Sequence, residues 1–172
     1  KSSQPSRQQC DIDSLLTESL KGINNVNIPE NIKVTRKSSQ STLLANGDRD
    51  LLRQVFPNLI NNAIQAMPNG GELKITVEKS FLSNRVIENG SEKRQYISIT
   101  ITDTGIGMSA ENLAKIFNPF FTTKDKGTGL GLAISHNIIK AHQGTIDAVS
   151  EEGKGTSFTV KIPSWDEDFD EK

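Results

Sequence analysis

The sequence predicts an α+β fold, in which helices cover one face of a mostly antiparallel sheet as a two-layer α/β sandwich. Segments with an apolar residue at every second position are typical of strands, and segments with apolar residues three and four positions apart are typical of amphipathic helices. Each of three helical segments is followed by a pair of strand segments. This order places the helices on one side of the sheet. With 172 residues, the chain is most simply one domain.

The charge balance excludes several classes of partner. Lys and Arg number 20 and Asp and Glu number 21, which leaves a formal net charge of -1. Such a chain has no bulk attraction to nucleic acid or to an anionic membrane, so neither is expected as a partner. No apolar run approaches the about 20 residues of a membrane span. Cys10 is the only cysteine, which excludes an intrachain disulfide and fits a reducing, cytoplasmic compartment.

The N-terminal part of the chain alternates polar segments with short ordered ones. Residues 1–10 are polar and are predicted to fray as an N-terminal linker. Residues 11–22 have helical spacing and end at a glycine. Residues 32–35 and 42–45 are predicted as short strands, which we expect to form a two-stranded element before the first long helix.

A long amphipathic helix is predicted over residues 48–67. Asp48 is suited to cap its first turn, and the sequence PNGG ends it. Pro57 removes one backbone hydrogen bond, so a kink or a break is expected there. The apolar positions fall on one broad arc and predict a buried face: Leu51, Leu52, Val55, Phe56, Leu59, Ile60, Ala63, Ala66 and Met67.

One flank of this helix is a stripe of five amides without a charge: Gln54, Asn58, Asn61, Asn62 and Gln65. Exposed helix faces usually have Lys and Glu instead. Two interpretations are open. The stripe is either an ordinary polar flank or the lining of a cavity, in which Asn58 and Asn62 point the same way because they are one helical turn apart.

Two strands and an extension between them follow the long helix. Residues 71–79 and 96–103 have alternating apolar positions. The segment 80–95 between them is polar and too long for a tight turn. We predict that it forms a mobile hairpin or loop, with its turn at Asn89-Gly90.

The C-terminal part of the chain is predicted to add a helix and a second pair of strands. Residues 130–142 have helical spacing, and residues 144–150 and 155–163 alternate as strands around the turn EEGKG. The acidic residues 164–172 are predicted to be a linker or a disordered end.

Asp103 stands at the end of a predicted strand, directly before Gly105 and Gly107. A carboxylate held beside bare backbone can accept a hydrogen bond from the amino group of a purine, while the glycines admit a flat ring. The segment Asp-Thr-Gly is equally compatible with a plain turn. These residues alone leave both interpretations open.

A second glycine cluster stands at the start of the last predicted helix. Gly127, Gly129 and Gly131 can turn consecutive backbone N–H groups inward, and a helix N-terminus adds its own positive end. This combination predicts a phosphate site. Three phenylalanines before the cluster fit either the core or a docking surface: Phe117, Phe120 and Phe121.

Four motifs occur in order along the chain: QVFPNLINNAIQA, DTGIGM, IFNPFFTTK and GTGLGLAIS. Together they resemble the asparagine box, first glycine box, phenylalanine box and second glycine box of the ATP-binding catalytic domain of sensor histidine kinases. This catalytic domain belongs to a superfamily that also includes DNA gyrase, the Hsp90 chaperones and the MutL repair ATPases. The resemblance covers residues 11–163. It implies the Bergerat-type ATP-binding fold, with a mixed five-stranded sheet backed by three helices and a flexible lid over residues 118–128.

The resemblance implies ATP and Mg²⁺ as cofactors and a role for each matching position. Asn62 would be the oxygen ligand of the magnesium ion, and Asn58 would reach the phosphates or the metal's waters. Asp103 would accept a hydrogen bond from the adenine amino group. Gly105 and Gly107 would shape the base pocket.

The remaining positions implied by the resemblance lie on the last strand and in the lid. Thr156 would sit beside the adenine, and Lys124 would meet the terminal phosphates. Asn58 and Lys124 are the residues expected to act in catalysis. The backbone at the start of the last helix would cradle the phosphates: Gly127, Thr128, Gly129, Leu130 and Gly131.

The activity implied is binding of Mg-ATP and transfer of its γ-phosphoryl group to a histidine, from which a response-regulator receiver domain takes it. In the family, this histidine lies in a helical dimerisation domain and is followed by an acidic residue and a proline. Neither His136 nor His142 has that pattern. We therefore expect a catalytic domain alone, monomeric in isolation and acting within a homodimeric parent protein.

Two positions depart from the common pattern of the family. Gln54 stands where many relatives have an acidic residue, and an amide cannot act as a general base. Gln65 stands where Lys or Arg is frequent, which leaves Lys124 as the main nearby cation. Both features resemble the nitrogen-regulatory branch of the family. The alternative functions are a gyrase- or chaperone-like ATPase module and a nucleotide-binding regulatory domain without transfer.

Overall fold

A computed structural model describes residues 5–24, 28–38, 42–83, 93–125 and 127–165. The strands are β1 (Gln8–Asp11), β2 (Ile32–Ser38), β3 (Leu44–Gly47), β4 (Gly71–Ser83), β5 (Lys93–Asp103), β6 (Thr145–Glu151) and β7 (Gly155–Pro163). The helices are α1 (Ile12–Asn24), α2 (Arg49–Gln65), α3 (Ala110–Leu113) and α4 (Gly131–Ala141). No helix in these ranges has the length and apolar character that crossing a membrane requires.

Five strands form one mixed sheet in the order β2-β4-β5-β7-β6. Strands β2 and β4 are parallel, and the other neighbours are antiparallel. Helices α1, α2 and α4 pack against one face of this sheet. The predicted fold class, an α+β sandwich with a mixed five-stranded sheet and helices on one face, is confirmed.

The alternation of the strands explains which sheet face is buried. Ile97, Ile99 and Ile101 on β5 are at most 1% exposed and face the helices. The residues between them face the other side, where Thr100 pairs with Thr159 at 3.3 Å and Thr102 with Ser157 at 2.8 Å between hydroxyl oxygens. A period of two therefore gives the sheet an apolar inner face and a hydroxyl-rich outer face.

Helix α2 forms one wall of the candidate site. The Asp48 side chain caps it by accepting hydrogen bonds from the N–H groups of Asp50 and Leu51. The helix continues through Pro57, so the predicted break does not occur. Val55, Phe56, Leu59 and Ile60, on both sides of the proline, are all fully buried. Their packing outweighs the one backbone hydrogen bond that the proline lacks.

The N-terminal elements differ from the prediction in their pairing. Residues 8–10 do not fray but belong to β1, which pairs antiparallel with β3, and Cys10 is fully buried with its thiol donating to the Gly47 carbonyl at 3.2 Å. Strands β2 and β3 do not form the expected two-stranded element. Strand β2 instead lies parallel to β4, a pairing that needs a crossover connection, and α2 lies within it.

Several boundaries also differ from the prediction. Helix α1 continues past Gly22, and the antiparallel strands β4 and β5 extend into the segment 80–95, which was predicted as a hairpin or a loop. The predicted turn at Asn89-Gly90 lies outside the described residues. Ser164 and Trp165 of the predicted acidic tail donate backbone hydrogen bonds to the carbonyls of Gln95 and Leu44. The tail beyond them lies outside the described residues too.

Candidate functional site

A cavity of about 440 Å³ lies between α2, the glycine-rich segments and one end of the sheet. Most of the predicted site residues line it: Asn58, Asn62, Asp103, Gly107, Lys124, Gly127, Thr128, Gly129, Gly131 and Thr156. The predicted residues Gly105 and Leu130 do not line it. Gly105 packs beside the last turn of α2, where an added Cβ would lie 2.3 Å from the Ala66 carbonyl oxygen. Leu130 is the N-cap residue of α4.

The amide stripe of α2 faces this cavity. Asn58, Asn61, Asn62 and Gln65 are among its lining residues. Gln54 is exposed instead, and its amide nitrogen donates to the Asp50 carbonyl at 3.4 Å. Of the two interpretations of the stripe, the cavity lining is confirmed for the four residues on the wall.

One polar row crosses the inner face of the sheet at the cavity. Asp103 on β5 is in register with Thr156 on β7, and Thr156 is in register with Ser150 on β6. On β5 the same face has Ile97, Ile99 and Ile101, all buried. The apolar core therefore gives way to polar side chains at this end of the sheet, where Asp103 of β5 and Thr156 of β7 line the cavity and Ser150 of β6 lies beside Thr156.

Backbone donors hold the Asp103 carboxylate. Its Oδ1 accepts hydrogen bonds from the N–H groups of Gly105 at 2.9 Å and Thr156 at 3.2 Å. The residue is only 4% exposed, and burial raises the pKa of the carboxyl group although both N–H donors oppose that shift. Among the described residues, no group donates a hydrogen bond to Oδ2. One carboxylate oxygen is thus available to a donor in the cavity.

The loop after β5 requires glycine at position 107. Gly107 has φ +67, and an added Cβ would lie 2.0 Å from the Glu151 carbonyl oxygen. The loop is also bonded to the β6–β7 hairpin, because Gly153 N–H donates to the Ile106 carbonyl at 2.7 Å and Met108 N–H donates to Ser150 Oγ at 2.8 Å. This part of the wall is fixed to the sheet by backbone groups.

Helix α4 begins at the cavity. No side chain caps its N-terminus, so its first N–H groups have no intrahelical or capping partner. An added Cβ on Gly131 would lie 2.2 Å from Asn58 Oδ1, which explains why this position has no side chain. Asn58 Nδ2 donates to Ser135 Oγ at 3.1 Å, and this bond fixes the amide against α4. The helix start, with Asn58 packed beside it, presents backbone donors suited to phosphate oxygens.

The lid contributes a cation to the amide wall. Lys124 Nζ donates to Asn62 Oδ1 at 2.9 Å and also to Gln65 Oε1. The residue as a whole is exposed, but desolvation of its ammonium group lowers its pKa. Gln65 therefore accepts a hydrogen bond from Lys124. In many members of the family that the sequence resembles, the position of Gln65 is Lys or Arg.

The donor set of this wall fits a magnesium ion. Asn62 Oδ1 faces the cavity and already has a positively charged group against it. In the described part of the chain, no three His, Cys, Asp or Glu residues form a cluster that could hold a metal. A magnesium ion here would rely on the amide oxygen, on waters and on the phosphate oxygens of a ligand, a set that this metal accepts.

The three phenylalanines of the lid segment divide into two groups. Phe117 packs against the core with its ring 5.1 Å from that of His136, and Phe121 packs against the core and lines the cavity. Phe120 is 74% exposed and has φ 66, which is uncommon outside glycine. Only Phe120 retains the interpretation of a docking contact.

Several polar residues that support the site were not predicted. Ser135 and Ser150 bond to site residues, and each occupies an inward position of its element, after Leu132 on α4 and after Ala148 on β6. His142 is buried; its Nδ1–H donates to the Ile138 carbonyl at 2.7 Å, and its Nε2 accepts from Asp48 N–H at 2.9 Å. In each case the sequence signal that could have identified the residue was a polar side chain at a position where the helix or strand pattern calls for an apolar one.

A family model described as histidine kinase-, DNA gyrase B- and HSP90-like ATPase matches residues 47–166, which hold the whole cavity lining. The chain belongs to this family. ATPase is the common term in the family description. The resemblance found in the four motifs is thereby confirmed.

Curated relatives are kinases of greater length. Sensor histidine kinase ZraS of Escherichia coli (strain K12) is 37% identical over 156 residues, which are 91% of this chain and 31% of that protein. Sporulation kinase E of Bacillus subtilis (strain 168) is 42% identical over 112 residues, 65% of this chain and 14% of that protein. The chain therefore spans about a third or less of these relatives.

Solved structures share the fold over almost the whole chain. The nucleotide-free catalytic domain of histidine kinase ThkA has a TM-score of 0.75 and 30% identity, covering 92% of this chain and 95% of that one. Full-length ShkA, solved in complex with AMPPNP, has a TM-score of 0.75 and 25% identity, covering 95% of this chain and 32% of that one. The chain thus corresponds to the catalytic domain of histidine kinases.

Proposed function

We propose that this domain binds Mg-ATP and, within a longer protein, transfers the γ-phosphoryl group to a histidine of a dimerisation domain in two-component signalling. One observation supports it above the others. A single cavity brings together a buried carboxylate with a free oxygen, an uncapped helix start and an amide oxygen that contacts a cation: Asp103, Gly131 and Asn62.

The sheet end of the cavity would bind the base. Asp103 Oδ1 is occupied by two backbone N–H groups, so Oδ2 is the oxygen that would accept a hydrogen bond from the adenine amino group. Gly107 lets the loop line the cavity without a side chain at that position, and Ile106 and Met108 add apolar surface to the wall. These residues bind and orient the nucleotide without taking part in phosphoryl transfer.

The opposite end of the cavity would bind the phosphates. The open N–H groups at the start of α4 and the ammonium group of Lys124 supply positive partial and full charges. A bound magnesium ion would supply neutralisation of the phosphate charge at Asn62. We expect Lys124 to give up its bond to Asn62 in the nucleotide complex and to donate to terminal phosphate oxygens instead.

General-base chemistry is not expected from Gln54 or Asn58. Gln54 is exposed, does not line the cavity, and has an amide that cannot take up a proton. Asn58 is bonded to Ser135 and can only orient groups. The domain therefore contributes positioning and charge, which are the main terms in phosphoryl transfer, and the base is expected beside the acceptor histidine.

The partners follow from the same proposal. The phosphate acceptor would be the histidine-bearing dimerisation domain of the parent protein, which is expected to be a cytoplasmic homodimer through that domain. A receiver domain would then take the phosphoryl group onto an aspartate. The exposed Phe120 ring at the lid is the contact expected to meet the dimerisation domain.

The deciding experiment mixes this domain with a separately produced histidine-bearing dimerisation domain from a sensor kinase and γ-labelled ATP. The expected product is phosphate on the added domain that is lost in acid and stable in base. A dimerisation domain whose histidine is replaced by glutamine is the control. Hydrolysis without transfer would favour the ATPase alternative, phosphate on serine would indicate a serine kinase, and failure to bind ATP would refute the proposal.

A further inference from the structure

We infer that Ser150 is a specificity-determining residue, because its hydroxyl makes Thr156 a hydrogen-bond acceptor toward the cavity and so selects a purine with an amino group at position 6. Ser150 does not line the cavity itself; it acts through Thr156, which does. The inference rests on the proposed binding of ATP and adds the means by which the base is chosen.

Three contacts converge on the Ser150 oxygen. It lies 2.8 Å from the backbone nitrogen of Met108, 3.1 Å from the carbonyl oxygen of Gly155 and 2.8 Å from Thr156 Oγ1. These groups come from the loop after β5 and from the start of β7. Ser150 is therefore the point at which both walls of the base end are joined.

The chemistry of these contacts determines where each hydrogen lies. A serine hydroxyl has one hydrogen to donate and two lone pairs with which to accept. The Gly155 carbonyl can only accept, so it accepts the hydrogen of the Ser150 hydroxyl. The Met108 N–H can only donate, so it donates to one lone pair of the Ser150 oxygen. The second lone pair then receives the hydrogen of the Thr156 hydroxyl.

This arrangement leaves Thr156 with lone pairs and no hydrogen to offer the cavity. Its neighbour in register, Asp103, is a carboxylate whose Oδ2 can also only accept while it is ionised. The base end thus presents two adjacent acceptors. The group at position 6 of a purine that meets them must donate hydrogens, as the amino group of adenine does and the oxo group of hypoxanthine or guanine does not.

Removal of the Ser150 hydroxyl changes this selection in a defined direction. Without its acceptor, the Thr156 hydroxyl is free to rotate and to donate into the cavity. A base with an oxo group then gains a donor that the unchanged protein withholds. Selectivity should fall because binding of the oxo base improves relative to binding of the amino base, not because the fold weakens.

The test compares the affinities of ATP and inosine triphosphate (ITP) in the presence of Mg²⁺ by isothermal titration calorimetry. The unchanged domain should bind ATP more tightly than ITP. In Ser150→Ala the ratio of the two affinities should fall about fivefold, the value of one hydrogen bond. Ser150→Thr keeps a hydroxyl and should retain the ratio of the unchanged domain.

Two further variants keep the test decisive if Ser150→Ala folds poorly. Thr156→Val removes the acceptor but leaves the bonds of Ser150 to Met108 and Gly155, and it should lower the ratio as well. Ser157→Ala removes an interstrand hydroxyl contact of the same length, 2.8 Å, on the outer sheet face and should leave the ratio unchanged.

The outcomes separate this inference from the proposed function. Absence of ATP binding by the unchanged domain would refute the proposed function itself. ATP binding with equal affinity for ITP, or an equal loss of both affinities in Ser150→Ala, would overturn the inference and leave ATP binding intact. A lower ratio in Ser150→Ala and Thr156→Val, with the ratio retained in Ser150→Thr, would support it.

Discussion

At the base end of the cavity, defined by Asp103 and Thr156, the sheet and the loop beside it hold the polar side chains: backbone N–H groups hold Asp103, and the Ser150 hydroxyl holds Thr156. At the phosphate end, defined by Asn62 and Lys124, a side chain from the lid and a side chain from α2 hold one another. Asp103 and Thr156 are 4% and 6% exposed and lie on neighbouring strands of the sheet. Lys124 is exposed and reaches Asn62 from the lid across 62 positions of sequence.

This difference indicates how binding energy is divided between the two ends. Groups fixed by the sheet lose little conformational freedom when a ligand arrives, so the base end is preorganised and suited to selection. The phosphate end must exchange the partners of Lys124, which costs part of the binding energy but permits movement during transfer. The following variants test whether the two ends behave in these separate ways.

The largest effect on binding is expected from Asp103→Asn. The asparagine Oδ1 can still accept from the N–H groups of Gly105 and Thr156, but its Nδ2 would place donor hydrogens against the donor amino group of adenine. Affinity for both ATP and adenosine should fall about 100-fold, since a charge-assisted bond is replaced by a donor facing a donor. Titration calorimetry with both ligands measures this.

A matched control is Asp147→Asn, on the exposed side of β6. It should change neither affinity. Thermal unfolding of Asp103→Asn should show no loss of stability, because the two backbone bonds are retained and a buried charge is removed. If ATP binding weakened and adenosine binding did not, the assignment of Asp103 to the base end would be wrong.

The second effect, about tenfold, is expected from Asn62→Ala at the phosphate end. The variant removes the amide oxygen that would bind magnesium, so affinity for Mg-ATP should approach that of ATP measured in EDTA. Adenosine affinity should not change, because the base end is untouched. Gln54→Ala, an exposed amide of the same helix, serves as the control. Unchanged Mg-ATP affinity in Asn62→Ala would contradict the metal assignment.

Alternation along β5 and β7 was sufficient to predict which residues face the helices, because burial on one face leaves a period of two in the sequence. The four motifs were sufficient to indicate the cavity. The pairing of β2 with β4, and of β1 with β3, could not be predicted in this way. A strand pattern states which side is buried but not which strand lies beside it, and both pairings join segments distant in sequence.

The supporting residues of the site were harder to predict for a different reason. Ser135 and Ser150 occupy inward positions where a small polar residue is compatible with an ordinary packed core. Their roles depend on which atoms stand opposite, Asn58 in one case and Thr156 in the other, and both partners are more than five positions away. A pattern within one element contains no information about such partners.

A third effect, about fivefold, is expected from Lys124→Met. The lysine neutralises phosphate in the proposed complex, but its side chain is exposed and solvent screens part of its charge. ATP affinity should fall while adenosine affinity stays constant, and the free energy of unfolding should be unchanged. Lys115→Met is the matched control, because Lys115 is an exposed lysine that contacts Glu111 at 2.8 Å outside the cavity. Equal losses in both variants would indicate a general charge effect.

The smallest effect concerns the pH dependence of stability and again separates the two ends. Burial raises the pKa of Asp103 above its ordinary value near 3.8, so between that value and the raised one the folded state binds more protons than the unfolded state. Stability therefore falls as pH rises through this window.

Asp103→Asn lacks the titrating group, so its stability relative to the unchanged domain should rise over the same window and then level off. Urea unfolding at several pH values measures the difference, with Asp147→Asn as the reference. If the stability of Asp103→Asn relative to the unchanged domain fell as pH rises, the fold would stabilise Asp103 as a carboxylate. The base end would then not hold a buried carboxylate whose charge is destabilising.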